Sequence, residues 1–234
     1  MCMSSLVSRF VIATVAVVTI AGCATPKVVD PPRDGASFMG IQLTTTGPLG
    51  PLSIEIPEEV IFVKLTSDGL LGEELMRSNH ASGDRIYLLN VDPGTYAAVA
   101  SIKSVPSPFP YGAPGTRTTF FPSQMISATR VEIGAGEFAF MGKFDVALPV
   151  PLSGSIGPDE AQLHYQRIIV PGASTKSFMD LMVQSMSGEM ISWGGLRSGT
   201  KDSAVKDEFF RGTAQSLSGP TWDAIISRAA AAQK

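Results

Sequence analysis

The side chains able to do covalent, acid–base or metal chemistry are few: Cys2, Cys23, His80 and His164 are the only cysteines and histidines in 234 residues. Neither histidine has a cysteine or second histidine at ligand spacing, so the sequence offers no transition-metal site and implies no cofactor. His80 lies in the polar run RSNHASGD, where solvent exposure is the expectation, and His164 lies in an alternating stretch that reads as strand. Carboxylates neighbour one another at Glu58/Glu59, Glu73/Glu74, Asp159/Glu160 and Asp207/Glu208, each in an expected turn or helix surface. Solvated charge is the ordinary explanation of such pairs, although a catalytic pair can also be assembled from distant segments. No G-x-S-x-G nucleophile turn is present. The run GGLRSGTK (194–201) approaches a phosphate-binding loop, but Thr200 precedes Lys201. That chemistry needs lysine directly after glycine and a hydroxyl after it, so a Gly-rich turn before a helix is expected here.

Cys23 is the exception, because of what surrounds it. Residues 11–21 carry no charge, and with Phe10 they form an apolar run of secretory length, short of the ~17–25 residues a spanning helix needs. The run ends in Ile20-Ala21-Gly22-Cys23, and a Pro-rich polar string, ATPKVVDPPRDGAS, follows. This arrangement resembles the lipobox of bacterial lipoproteins. The resemblance implies that signal peptidase II recognises Ile20, Ala21 and Gly22 and cuts before Cys23, whose thiol carries a diacylglyceryl group and whose new amino group is acylated too. Each buried methylene contributes about 0.8 kcal/mol, so two or three chains on one residue make dissociation negligible. The alternative is an ordinary signal-peptidase site with Cys23 as a plain small residue. In Gram-negative members, a residue other than Asp after the cysteine accompanies transfer to the outer membrane, and here it is Ala24. The resemblance thus implies a lipid-anchored protein of the bacterial envelope, at the outer membrane, with the bilayer as its first partner. Cys2 falls in the removed leader.

The elements expected downstream divide the chain into a signal peptide (1–22), a lipidated Cys with flexible tether (23–37), a β-sandwich domain (38–172) and C-terminal helices packed on it (173–234). Gly 23 and Pro 17 give the turn density of short-stranded β folds. The fold class expected is mainly β, an antiparallel sandwich with a C-terminal helical segment. Residues 38–46 and 58–66 read as strands, the second apolar on both faces and therefore central. Residues 84–103 read as a hairpin about Asp92-Pro93-Gly94, where Pro presets φ and Gly accepts the conformation a type II turn needs. Its wording, LLNVDPGTYAAVA, resembles the strand–Pro-Gly-x-Tyr–strand pattern of transthyretin-like and carboxypeptidase-regulatory-like modules, which implies an Ig-like or transthyretin-like sandwich and no activity. ISATRVEI and GEFAFMGKFDVAL read as a second hairpin across residues 134–136. The wording of its second strand resembles one in several bacterial lipoproteins. Residues 161–170 read as the last strand.

The loop PSPFPYGAP offers Phe109 and Tyr111 either to a partner or back to the sandwich edge. Past Gly172 the apolar period becomes helical. Phe178, Leu181, Met182 and Ser185 form one stripe, with Ser174 or Thr175 to cap it. Val205, Phe209 and Leu217 follow a capping Asp202, and Trp222, Ile225, Ile226 and Ala229 follow Pro220. The last stripe serves a partner or its own domain.

Formal charge is −3, becoming −4 once Arg9 leaves with the leader, and no basic cluster marks a nucleic-acid surface. The function these features predict is non-enzymatic binding of another envelope protein or a polysaccharide. A lipid-anchored hydrolase with a dispersed carboxylate site and a small-ligand carrier are the alternatives.

Overall fold

A computed structural model of the chain describes residues 37–47, 49–106, 114–148, 189–217 and 220–231. Among the described residues twelve strands form two sheets, and three α-helices accompany them. The first sheet runs β12 (Gly195–Thr200), β10 (Phe138–Ala147), β1 (Ser37–Thr46), β6 (Arg85–Val91), β5 (His80–Ser82), with the two-residue β2 (Ile54–Glu55) beside the end of β1. The second runs β11 (Glu189–Trp193), β8 (Gly115–Phe120), β7 (Gly94–Val105), β3 (Glu59–Leu65), β4 (Leu71–Arg77), with β9 (Val131–Ile133) on β7. The mainly β reading and the C-terminal helical segment hold. The purely antiparallel reading does not, because β1 pairs with β10 and β8 with β11 in parallel.

β3 is central, as its apolar faces predict: Val60, Ile61, Phe62 and Val63 are all buried between β4 and β7. Both expected hairpins, however, are crossings. β6 belongs to the first sheet and β7 to the second, so Asp92-Pro93-Gly94 is a corner between sheets. One extra residue bulges β6 just before it: Ser37 pairs with Val91 and Phe38 with Leu89, leaving Asn90 at φ 63°. A left-handed residue at a bulge bends the strand and sharpens its twist, and Asn tolerates that conformation best after Gly. The Tyr96 hydroxyl closes the corner by donating to the Asp92 carbonyl at 2.6 Å, as in tyrosine corners of two-sheet folds. β9 and β10 likewise lie in different sheets, and Ile126–Ala128, expected as the start of a strand, ends helix α1 (Ser123–Ala128).

The segment before the final helices is a further correction. Residues 189–193, placed within the expected C-terminal helical region, and 195–200, expected as a Gly-rich turn, supply β11 and β12, one strand to each sheet. The helix expected after them follows at once. Asp202 accepts from the Val205 N–H at 2.8 Å and opens α2 (Ser203–Ser216), and Pro220 opens α3 (Pro220–Ala231).

Strand alternation explains the layering. Met39, Ile41, Leu43, Ile86 and Leu88 share a core with residues of the second sheet. Phe38, Tyr87, Leu89, Phe138 and Phe140 point the other way, into a second core with Phe209, Phe210, Leu217, Trp222, Ile225 and Ile226 of the helical layer. The stripe on α3 therefore packs on its own domain. In β10 the alternation changes phase. Phe140 faces the helices, whereas Phe144 and Val146, also even-numbered, face the second sheet. The register supplies the cause: Gly40 pairs with Phe140 but Gln42 with Lys143, so β10 carries one extra residue. Gly142 sits within that bulge at φ 124°, where a Cβ would lie 2.6 Å from the Phe144 ring.

Candidate functional site

The residues singled out from sequence fare differently. Ile20, Ala21, Gly22, Cys23, the tether, Phe109, Tyr111, His164, the strand expected at 161–170 and the stripe at 178–185 all lie outside the described residues. His80 does not sit in an exposed loop. It opens β5, stands opposite Tyr87 in the register, and packs against that ring at 5.6 Å between centroids. Half-burial holds its imidazole below the ordinary 6.5. Of the expected carboxylate pairs, Asp159/Glu160 lies outside the described residues, and Glu58 and Glu59 take different partners. Glu58 accepts from the Ser104 hydroxyl at 2.6 Å and pairs with Lys103 at 3.2 Å, and these contacts hold its carboxyl below the usual range. Glu59 pairs with Arg77, while Asp207 and Glu208 are exposed on α2. Among the described residues no group of three His, Cys, Asp or Glu is placed to hold a metal ion. No helix among them is long and apolar enough to cross a membrane.

The structure instead brings together a set that sequence reading missed. A cavity of about 230 Å³ opens beside the sheet-to-sheet corner, lined by Lys64 of β3, Glu74 and Met76 of β4, Leu88, Asn90 and Val91 of β6, and Asp92 and Tyr96 of the corner. Each polar member is there for a local reason. β3 alternates so that Lys64, paired across the ladder with Tyr96, holds its ammonium 5.7 Å above that ring. Tyr96 is fixed by its bond to the Asp92 carbonyl, and burial raises its hydroxyl above the ordinary 10.0. Asn90 enters the lining because the bulge turns it out of register, and its Oδ1 is buried with no partner among the described residues. The floor is apolar, from Met76, Leu88 and Val91. Donors (Lys64, Asn90) and acceptors (Glu74, Asp92, Asn90) thus line one small space, and no histidine is among them. Such a lining orients a polar molecule by hydrogen bonds. Only the Pro-Gly-x-Tyr wording signalled any of it, and it signalled the corner alone.

A second polar set lies under α2. The Tyr87 hydroxyl meets Thr213 Oγ1 at 3.1 Å, Gln42 donates to Asp84 at 2.8 Å, and the Arg85 guanidinium lies so close over Gly212 that a Cβ there would have to push it aside. Burial raises the Tyr87 hydroxyl above the ordinary 10.0. The Tyr87–Thr213 bond fastens the helix to the sheet.

Comparison with known protein families, with curated proteins and with solved structures gave no match.

Proposed function

We propose that the chain is a bacterial envelope lipoprotein, held on a bilayer through acylated Cys23, at the outer membrane by the identity of Ala24. Its folded part, read as a β-sandwich of Ig-like or transthyretin-like type, is a non-enzymatic binding module for an envelope polysaccharide. The anchor is supported by the sequence around Cys23 and by the polar tether after it. The observation that carries the binding reading is the lining of the corner cavity. Donors and acceptors share the lining with apolar side chains, a mixture suited to the hydroxyl-rich edges and carbon-bound faces of a sugar residue. The left-handed Asn90 backbone at its wall adds weight, since left-handed non-glycine residues concentrate at ligand sites.

Two measurements test this. Cys23→Ser is expected to move the protein from the membrane to the soluble fraction, and the peptide beginning at Cys23 is expected to carry the mass of its acyl chains. The folded chain is expected to be retained on immobilised envelope polysaccharide, with retention lost in Lys64→Ala and Glu74→Gln. Retention unaffected by both substitutions would remove the cavity from the argument. Slow cleavage of the polysaccharide, abolished by Glu74→Gln or Asp92→Asn, would favour the second reading, a lipid-anchored hydrolase, for which two carboxylates lining one cavity is the motivating observation.

A further inference from the structure

The polar side chains of the corner cavity do not balance one another. One ammonium, Lys64, stands with two carboxylates, Glu74 and Asp92, and none of the three forms an ion pair among the described residues. The Tyr96 hydroxyl already donates to the Asp92 carbonyl at 2.6 Å. The donors left to meet a ligand are thus the Lys64 ammonium and the Asn90 amide N–H, and the acceptors are the two carboxylates and Asn90 Oδ1. These acceptors differ in their access to water. Glu74 and Asp92 are exposed and can be hydrated, whereas Asn90 Oδ1 is buried and has no partner among the described residues. A buried carbonyl oxygen without a donor is destabilising until a hydrogen is brought to it.

The same lining is apolar at Met76, Leu88 and Val91, the last two buried. A ligand group that leaves water here must therefore offer a donor hydrogen and an apolar surface together. At about 230 Å³ the cavity falls below the ~300 Å³ at which pockets begin to hold drug-sized molecules. It takes one sugar ring or its substituent rather than a run of chain. An unsubstituted hexose brings hydroxyls but no apolar cap. A uronic acid adds a carboxylate where two already stand against one ammonium, which disfavours it. An acetamido group carries a donor N–H, an acceptor carbonyl and a methyl within one small substituent.

We infer that the corner cavity selects an N-acetylated amino sugar. The acetamido N–H donates to Asn90 Oδ1, the Lys64 ammonium donates to the acetamido carbonyl, and the methyl lies against Met76, Leu88 and Val91. Glu74 and Asp92 accept from the ring hydroxyls and turn acidic sugars away. The inference rests on the polysaccharide reading of this cavity and narrows it to one class of sugar residue.

The test uses the full chain carrying Cys23→Ser and isothermal titration calorimetry with three tetrasaccharides of one linkage: that of N-acetylglucosamine, its N-deacetylated form, and that of glucose. The N-acetylated form is expected to bind about tenfold more tightly than either of the others, the scale of one hydrogen bond. Asn90→Gly removes the acceptor but suits the backbone φ of 63°. It is expected to keep the melting temperature and to weaken binding of the N-acetylated form about tenfold, so that the preference over the glucose form disappears. Leu52→Ala, 90% exposed on the 3₁₀ turn Gly50–Ser53, is expected to change neither affinity. Equal binding of all three sugars, or tightest binding of the deacetylated form, overturns the acetamido assignment and leaves a sugar site standing. A preference that survives in Asn90→Gly overturns it as well. Binding of none of the three removes the polysaccharide reading and the inference together.

Discussion

The two faces of the first sheet are furnished with different chemistry. Toward the second sheet it presents aliphatic residues, Met39, Ile41, Leu43, Ile86 and Leu88, with Phe144 at one end. Toward the helices it presents rings. Phe38 stacks on Phe138 at 4.1 Å and meets Trp222 edge-on at 5.1 Å, Phe138 meets Phe210 at 4.5 Å, and Phe140 packs on Phe209 at 4.6 Å. Branched chains interdigitate well between two pleated surfaces about 10 Å apart. The rings bring large area and angular preference to an interface of fewer residues. The aliphatic face is locked by strands from all parts of the chain, whereas the aromatic face depends on two consecutive helices, Ser203–Ser216 and Pro220–Ala231. We therefore expect the helical layer to be the less stable cooperative unit.

The most disruptive change targets the residue that lets one strand serve both faces. Deleting Gly142 removes the bulge and would turn Phe144 and Val146 toward the helices, so cooperative thermal unfolding is expected to vanish. Gly142→Ala keeps the residue count but sets a side chain at positive φ against the Phe144 ring, for an expected loss of about 1–3 kcal/mol in denaturant titration. Trp222→Ala is expected to cost about 3–5 kcal/mol, with amide protection lost across the helical layer and kept in β3 and β7. Phe62→Ala should cost a similar amount but lower protection throughout. Equal losses everywhere in both variants would mean the two faces form one unit. Tyr87→Phe removes only the hydroxyl that meets Thr213 and is expected to cost about 1 kcal/mol, read from the shift in denaturation midpoint.

Two smaller effects depend on pH. His80 prefers to be neutral in the folded state, so the unfolded chain binds its proton first as pH falls through 6.5. Stability is expected to decline from there until the folded pKa is also passed, and His80→Phe should flatten that part of the pH profile. Asp202 runs in the acidic range. The Val205 N–H and the Thr200 hydroxyl hold its carboxyl below the ordinary 3.8, so its capping contribution is present above that value and is lost as pH falls through the folded pKa. In Asp202→Ala the melting temperature should fall slightly at neutral pH and converge with the parent in acid.

The sequence read well wherever local pattern decides. The strand at Glu59–Leu65 follows from its doubly apolar run, and the helix after Asp202 from its cap and its spacing of Val205, Phe209 and Leu217. It read poorly wherever the decision is made at a distance. Asp-Pro-Gly marks a reversal but not which sheet the next strand joins, and the Asn90 bulge that steers the crossing has no composition of its own. Residues 189–200 lack alternation and are rich in glycine. Their strand state comes from pairing with β8 and β10, which lie far earlier in the chain. The corner cavity was illegible for the same reason, since Lys64, Glu74, Asn90 and Asp92 come from three strands and a turn.

Ser37 opens β1, and β1 is the middle strand of its sheet, bonded to β10 on one side and β6 on the other. A pull arriving through the preceding residues runs along that strand, so it loads the whole ladder in shear rather than opening it one bond at a time.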